Sequence, residues 1–249
     1  SEPSIPKEVG QLAVPGWGMR RIVVADSSAF VLAWHLQNLS IEGTGEVVAT
    51  MSDGIGLIVI DISNPSKPRL KGQLTFVQSD YHRALEFAIA GDYLYAGVIG
   101  TEPTINVRLF SFLIKDQSDP QVLDVWPLDN IHGSCRIDIA GQHAFLGLQS
   151  GLVVVDLSDP RSLTEVSRLK LEDIKYTGRR LIHGRTITVQ GNRAYVGRFW
   201  PRELAVLDIS DPRRPLEVGY YYWNPFWGDI EVADGHIYRK GISDYTPLE

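Results

Sequence analysis

Apolar residues in this chain of 249 residues fall in short runs broken by turn residues, not along the faces of helices. The clearest stretch is Ile137–Ser167, IDIAGQHAFLGLQSGLVVVDLSDPRSLTEVS. Ile137 and Ile139, then Ala144 and Leu146, then Leu152, Val153, Val155 and Leu157 form three apolar runs, with turn signals at Ala140-Gly141 and Ser150-Gly151 between them. Short runs rich in β-branched residues and bounded by Gly, Ser and Asp predict consecutive antiparallel strands.

The pattern repeats. The first strand and its turn recur as FAIAGDYLYAG at Phe87–Gly97, ITVQGNRAYVG at Ile187–Gly197, IEVADGHIYRK at Ile230–Lys240 and IVVADSSAFVL at Ile22–Leu32. The third strand, GLVVVDLSDP at Gly151–Pro160, recurs as GLIVIDISNP at Gly56–Pro65 and ELAVLDISDP at Glu203–Pro212. Gly91, Gly141 and Gly191 lie 50 residues apart (141 − 91 and 191 − 141), and Gly235 follows 44 residues later (235 − 191). A period of that length with about four strands per unit predicts the blades of an all-β propeller.

A Ser-Asp/Asn-Pro turn precedes the outer strand of each unit, since proline presets φ and the Asx side chain bonds the nearby backbone. The aspartates that end the third strands are accordingly expected to be structural. Outer-strand phrases are found at Ser1–Gly10, Ser63–Gly72, Ser118–Asp124, Ser158–Ser167 and Ser210–Gly219, which predicts five blades. The opening SEPSIPKEVG matches SDPRRPLEVG at Ser210–Gly219, while the C-terminal DIEVADGHIYRKGISDYTP supplies inner strands without an outer one. The last blade is therefore expected to be closed by the N-terminal strand, removing open sheet edges. Six blades is the alternative, because LSIEGTGEVVA at Leu39–Ala49 resembles one more inner strand. It follows the first too closely for a whole blade, so residues 34–53 are read as an insertion in a single domain, 1–249.

The strand sequences LIVID at Leu57–Asp61, LVVVD at Leu152–Asp156 and LAVLD at Leu204–Asp208 resemble the LVIVD-repeat β-propeller family over nearly the whole chain. The second unit, NVRLFSFLIKDQSDP at Asn106–Pro120, departs from the pattern by being longer and less regular. The resemblance implies a propeller scaffold and leans towards a secreted or periplasmic location, many members being surface or secreted proteins of unassigned role. It implies no particular reaction, since function resides in sites grafted on a fold.

A formal charge of −6 and a pI near 5.5 argue against nucleic acid as a partner. No apolar run reaches the roughly 18 to 20 residues of a transmembrane helix, which predicts a soluble chain. Cys135 is the single cysteine, so an internal disulfide is excluded.

Propeller ligands bind where inner strands surround the central channel, so the residues just before those strands are the candidates. A histidine stands there in three units, His82, His132 and His183, and a tryptophan in two, Trp17 and Trp227. Three converging imidazoles would suit one Zn, Fe or Cu ion with an open position for water or substrate. Without a metal, the same residues would serve as general base and acid. The structural alternative is that they cap strands. Arg20, Arg21, Arg83, Glu86, Arg136, Arg185 and Asp229 lie close by; the arginines would hold a carboxylate or phosphate, or else Arg21–Asp229 and Arg136–Glu86 are ion pairs between blades. The aromatic run Tyr220–Trp227, YYYWNPFW, either offers stacking surface at the mouth, or its Tyr220–Trp223 continue the outer strand and pack between blades. Cys135 is either a thiol nucleophile beside His132 or a small buried hydrophobe.

Two functions follow from these residues. One is an enzyme whose channel site uses the three histidines for lyase, isomerase, hydrolase or oxygen chemistry on a compact anionic or aromatic small molecule. The other is a non-catalytic module that binds carbohydrate or protein.

Overall fold

The structure, a computed structural model, describes residues 8–36, 39–41, 47–49, 52–77, 82–100, 106–128, 135–148, 151–170, 184–198, 203–222, 229–233 and 236–240. All regular elements among them are strands, and no helix is long and apolar enough to cross a membrane. The first sheet orders β1 (Trp17–Ala25), β2 (Ser28–Leu36), β5 (Ser52–Asp61) and β6 (Arg69–Val77) side by side. A small hairpin, β3 (Leu39–Ile41) with β4 (Val47–Ala49), leaves between β2 and β5. The second sheet runs β7 (His82–Ala90), β8 (Tyr93–Gly100), β9 (Asn106–Leu113), β10 (Gln121–Leu128); the third, β11 (Cys135–Ala140), β12 (His143–Leu148), β13 (Gly151–Asp156), β14 (Thr164–Lys170). The fourth holds β15 (Gly184–Gln190), β16 (Arg193–Arg198), β17 (Glu203–Asp208) and β18 (Leu216–Tyr222), and a last hairpin pairs β19 (Asp229–Ala233) with β20 (His236–Lys240). Four-stranded antiparallel sheets repeating in sequence order match the expected blades.

The chain divides into two compact units, Ser1–Ala84 with Leu113–Gln121, and Leu85–Phe112 with Val122–Glu249. In the first, Ala29, Val31, Ala33, Ile58 and Ile60 form one buried face, covered by Leu12, Val14, Trp17 and Ile62. In the second, neighbouring sheets share cores. Tyr95, Val107 and Leu109 pack with Ile137, Leu146, Val153 and Val155. Phe145, Leu152 and Val154 pack with Ile187, Ala205 and Leu207. The third strand β13 thus buries Val153 and Val155 on one face and Leu152 and Val154 on the other. That is why it reads as a continuous apolar run instead of an alternating one.

Turn chemistry accounts for the repeated phrase. Gly91, Gly141 and Gly191 adopt φ of 57°, 58° and 56°, and Asp26 takes the same left-handed place with φ 52°. At the ends of the third strands, the carboxylates of Asp61, Asp156 and Asp208 accept the N–H groups of Ser63, Ser158 and Ser210 at 2.9, 2.8 and 2.9 Å. Asn64, Asp159 and Asp211 then accept from Ser66, Arg161 and Arg213 at 3.1, 2.9 and 3.0 Å. The strand-ending aspartates are structural, as expected.

The second sheet differs from the sequence expectation. Asp116 accepts the Ser118 N–H at 3.0 Å and its carbonyl accepts the Asp119 N–H at 3.1 Å, the pattern made by Asn64 with Ser66 and Lys67. Asp116 therefore stands where Asn64 does, Gln117 where Pro65 does, and Ser118-Asp119-Pro120 corresponds to Ser66-Lys67-Pro68. The outer strand read as Ser118–Asp124 is Gln121–Leu128. Its Ser-Asp-Pro triplet imitates the first half of the turn while occupying the second.

Candidate functional site

The inner strands of the second unit are tied by polar bonds near their starts. Glu86 and Arg136 each lie five residues before a turn glycine (91 − 86 and 141 − 136), and their side chains meet, Arg136 Nη1 donating to Glu86 Oε2 at 2.9 Å. Glu86 is buried and Arg136 half-buried. Thr186 holds the same place in β15 (191 − 186); its buried hydroxyl oxygen accepts the Ile230 N–H of β19 at 3.4 Å. Between β11 and β15, the Asp138 carboxylate accepts the Val189 N–H at 2.6 Å. Burial pushes the Asp138 carboxyl above the ordinary range, while the N–H groups of Val189 and Ile139, both donating to it, oppose the shift. Of the two meanings given to Arg136 and Glu86, the ion pair is the one the structure shows.

Cys135 is fully buried, and its thiol is pushed up to about 12, first by burial and then by the nearby Glu86 carboxylate, against the opposing Arg136 charge. A thiol held so far from ionisation is no nucleophile near neutrality. It packs against Gly97 of β8 as a small hydrophobe.

In the first unit, Trp17 and Trp34 lie flat because glycines face them: a Cβ on Gly56 would overlap the Trp17 ring, and one on Gly18 would overlap Trp34. Trp17 is half-buried, and the Arg20 guanidinium stacks 5.8 Å from the Trp34 ring centroid. Arg20 is exposed and Arg21 half-buried.

The remaining candidates are located in part. His82 and Arg83 open β7, Arg185 is the second residue of β15 and Asp229 the first of β19, while the placement of their side chains lies outside the description. His132, His183 and Trp227 fall outside the described residues. Among the described residues, no group of three His, Cys, Asp or Glu side chains is arranged to hold a metal ion. Tyr220–Tyr222 belong to β18, so this part of the aromatic run continues the outer strand. Tyr220 and Tyr221 are 46% and 51% exposed, so they do not pack away between blades. The sequence reading passed over Thr186, although it shares the offset of Glu86 and Arg136, and passed over Asp138 and Trp34, which carry no repeat signal.

A family model described as the LVIVD repeat matches residues 50–75, 133–170 and 183–222. No curated protein matches the chain. A crystal structure of a functionally unknown protein from Desulfotomaculum acetoxidans is similar at a TM-score of 0.60 and 14% identity, over 94% of this chain and 68% of that one. The structure of a hypothetical selenium-binding protein from Sulfolobus tokodaii is similar at a TM-score of 0.54 and 13% identity, over 78% of this chain and 52% of the other. At such identities the likeness concerns the fold alone. The repeat itself is the specific signal, matched in three separate stretches that fall on β5 and β6 of the first sheet, on the third sheet and on the fourth: the chain carries LVIVD repeats in these three regions.

Proposed function

We propose that the chain is a small five-bladed propeller enzyme whose site is the histidine cluster His82, His132 and His183 at the mouth of the central channel. The observation that carries this reading is the Glu86–Arg136 contact at 2.9 Å. His82 and His132 lie four residues upstream of those two partners (86 − 82 and 136 − 132), at equivalent places in consecutive repeats. His183 stands just before β15, whose Thr186 and Val189 continue the same series of inter-strand bonds. Three imidazoles so arranged would hold one Zn, Fe or Cu ion with an open coordination position, or divide the roles of base and acid without one. Arg20, Arg21, Arg83 and Arg185 would supply cationic donors for a compact anionic or aromatic substrate, with Trp17 and Trp227 as walls and Asp229 as a polar partner. The reaction class is lyase, isomerase, hydrolase or oxygen chemistry.

A central channel requires a closed ring, and the reading takes five blades, the N-terminal phrase serving as outer strand of the β19–β20 blade. Its support lies in residues 8–10. Gly10 abuts the Pro65 carbonyl as Gly72 of β6 abuts the Gln117 carbonyl, so this segment behaves as an outer strand preceding the first sheet.

Metal analysis of the untagged protein by mass spectrometry tests the reading. About one equivalent of Zn, Fe or Cu, lost in His82→Ala/His132→Ala with the fold retained, is the expected result. No metal after reconstitution, together with no turnover in a substrate screen, overturns it. The binding-module reading then takes its place, favoured by the exposed Tyr220 and Tyr221; loss of glycan-array or protein binding in Tyr220→Ala/Tyr221→Ala would mark that surface.

A further inference from the structure

The inner strands do not all meet their second strands in regular register. In β1 the pairing passes from Met19↔Ala33 to Arg21↔Leu32, so Arg20 is the extra residue of a β-bulge. In β15 it passes from Gly184↔Arg198 to Thr186↔Gly197, and the extra residue is Arg185. Each arginine stands six residues before the left-handed turn residue of its hairpin, Asp26 or Gly191 (26 − 20 and 191 − 185). In β11, which pairs with β12 without a shift, the same place (141 − 135) belongs to Cys135, and that residue is fully buried. A bulge re-aims the side chain it carries, and bulges are concentrated beside functional sites. At this one place the regular strand buries its side chain, while the bulged β1 turns Arg20 out to solvent.

What receives Arg20 is equally specific. Trp34 of β2 lies opposite Gly18 of β1, and a methyl on Gly18 would overlap its indole, so the ring rests flat on the strand backbone. The Arg20 guanidinium covers this ring, 5.8 Å from its centroid. Among the described residues no carboxylate pairs with Arg20, whereas Arg136, Arg168 and Arg193 pair with Glu86, Glu165 and Asp208. Stacking on an indole occupies the face of a guanidinium and leaves the N–H donors at its rim, the geometry that takes two oxygens of one carboxylate or phosphate.

We propose that the bulged Arg20 is an oxyanion-binding residue for a small carboxylate or phosphate ligand, and that Trp34 is its positioning residue, holding the plane of the guanidinium by stacking. The proposal rests on the channel-site reading, in which Arg20 is one of several cationic donors, and deepens it by naming the group recognised and the residue that aims the donor.

Titration with inorganic phosphate and with benzoate at physiological ionic strength tests it, followed by calorimetry and by the side-chain Nε–H resonance of Arg20, assigned through Arg20→Lys. Saturable binding of at least one anion, moving this resonance and abolished in Arg20→Lys at an unchanged melting temperature, is the expected result. Phosphate alone would identify a phosphoryl group, and benzoate alone a carboxylate beside a ring. Trp34→Leu should weaken binding about 2- to 5-fold, the change that stacking of an exposed guanidinium supplies, and Trp34→Phe, which keeps a ring, should restore most of it. Should Trp34→Leu not fold, Gly18→Ala displaces the indole and is expected to weaken binding in the same sense. Binding of neither anion, or binding that Arg20→Lys leaves unchanged, overturns the assignment; unchanged affinity in Trp34→Leu or Gly18→Ala overturns the positioning role. Anion binding is expected to persist in His82→Ala/His132→Ala. A protein that holds no metal but binds the anion at Arg20 leaves this inference standing while the histidine reading falls, and a metal-binding protein in which Arg20 does not respond does the reverse.

Discussion

Glu86 is a carboxylate removed from water, and the Arg136 guanidinium at 2.9 Å offsets that loss. Truncation to Glu86→Ala leaves a half-buried cation without this partner and is expected to cost roughly 1 to 3 kcal/mol in urea unfolding. Glu86→Ala/Arg136→Met should cost less than the single change, since the cation that lost this carboxylate is removed with it. Cys135 and Tyr95 set a second prediction at this scale. Burial raises both groups to about 12, from 9.0 for the thiol and 10.0 for the phenol. A raised folded-state value means the contribution to stability is complete below the unfolded value and is lost as pH climbs towards the folded one. Melting temperature is therefore expected to fall between about pH 9 and 12, less steeply at its start in Cys135→Ala. Ellman's reagent should leave Cys135 untouched in the native protein at pH 8 and modify it after unfolding. The sequence offered nucleophile and hydrophobe alike for this residue. Only its surroundings decide, and of these Gly97 and Glu86 arrive from two other strands.

Strands and turns were more legible than side-chain encounters, because their cause is local. A glycine in the left-handed region, an Asx acceptor two residues before its N–H donor and a both-faces-buried third strand each leave a mark within ten residues. The shifted turn at Asp116 escaped for the same reason: Ser118-Asp119-Pro120 satisfies the local pattern, and only the strand start at Gln121 shows which half of the turn it fills. The turn carboxylates carry the acid side of the pH profile. Serine donors hold Asp61, Asp116 and Asp156 below the ordinary range, and the Ser210 N–H and hydroxyl with Arg193 bring Asp208 to about 2. A lowered folded-state value gives stability that is present above the unfolded value and disappears as pH falls towards the folded one. Calorimetry should show melting temperature declining from about pH 4 to 2, with a smaller decline in Asp208→Asn. For the contacts between a strand and the next turn, Ser167→Ala loses one hydrogen bond and about 1 kcal/mol. Gly72→Ala drives a methyl into the Gln117 carbonyl and should cost about 1 to 3 kcal/mol.

At the scale of the whole molecule, the repeat foretold which elements would neighbour one another, because each blade buries its faces only against the next. It could not foretell how evenly that burial is shared. The third sheet is buried on both faces, by the Tyr95–Val107–Leu109 side of its predecessor and the Ile187–Ala205–Leu207 side of its successor. Among the described residues, the β19–β20 hairpin rests on a smaller cluster, Leu204 with Ile230, flanked by Tyr195 and Ile237, and is tied to β15 through Thr186. Local opening free energy follows buried apolar contact and shielded backbone bonds. Native-state amide exchange should therefore be slowest in β12 and β13 and fastest, among the strands of the second unit, in β19 and β20. The histidine site inherits that gradient: if Asp229 and Trp227 form part of the mouth, ligand or metal binding there must order the least stable blade, and the exchange of Ile230–Val232 should slow on binding more than that of Val153–Val155. Equal slowing in both would mean that the ligand acts on global stability alone and that the last blade takes no part in the site.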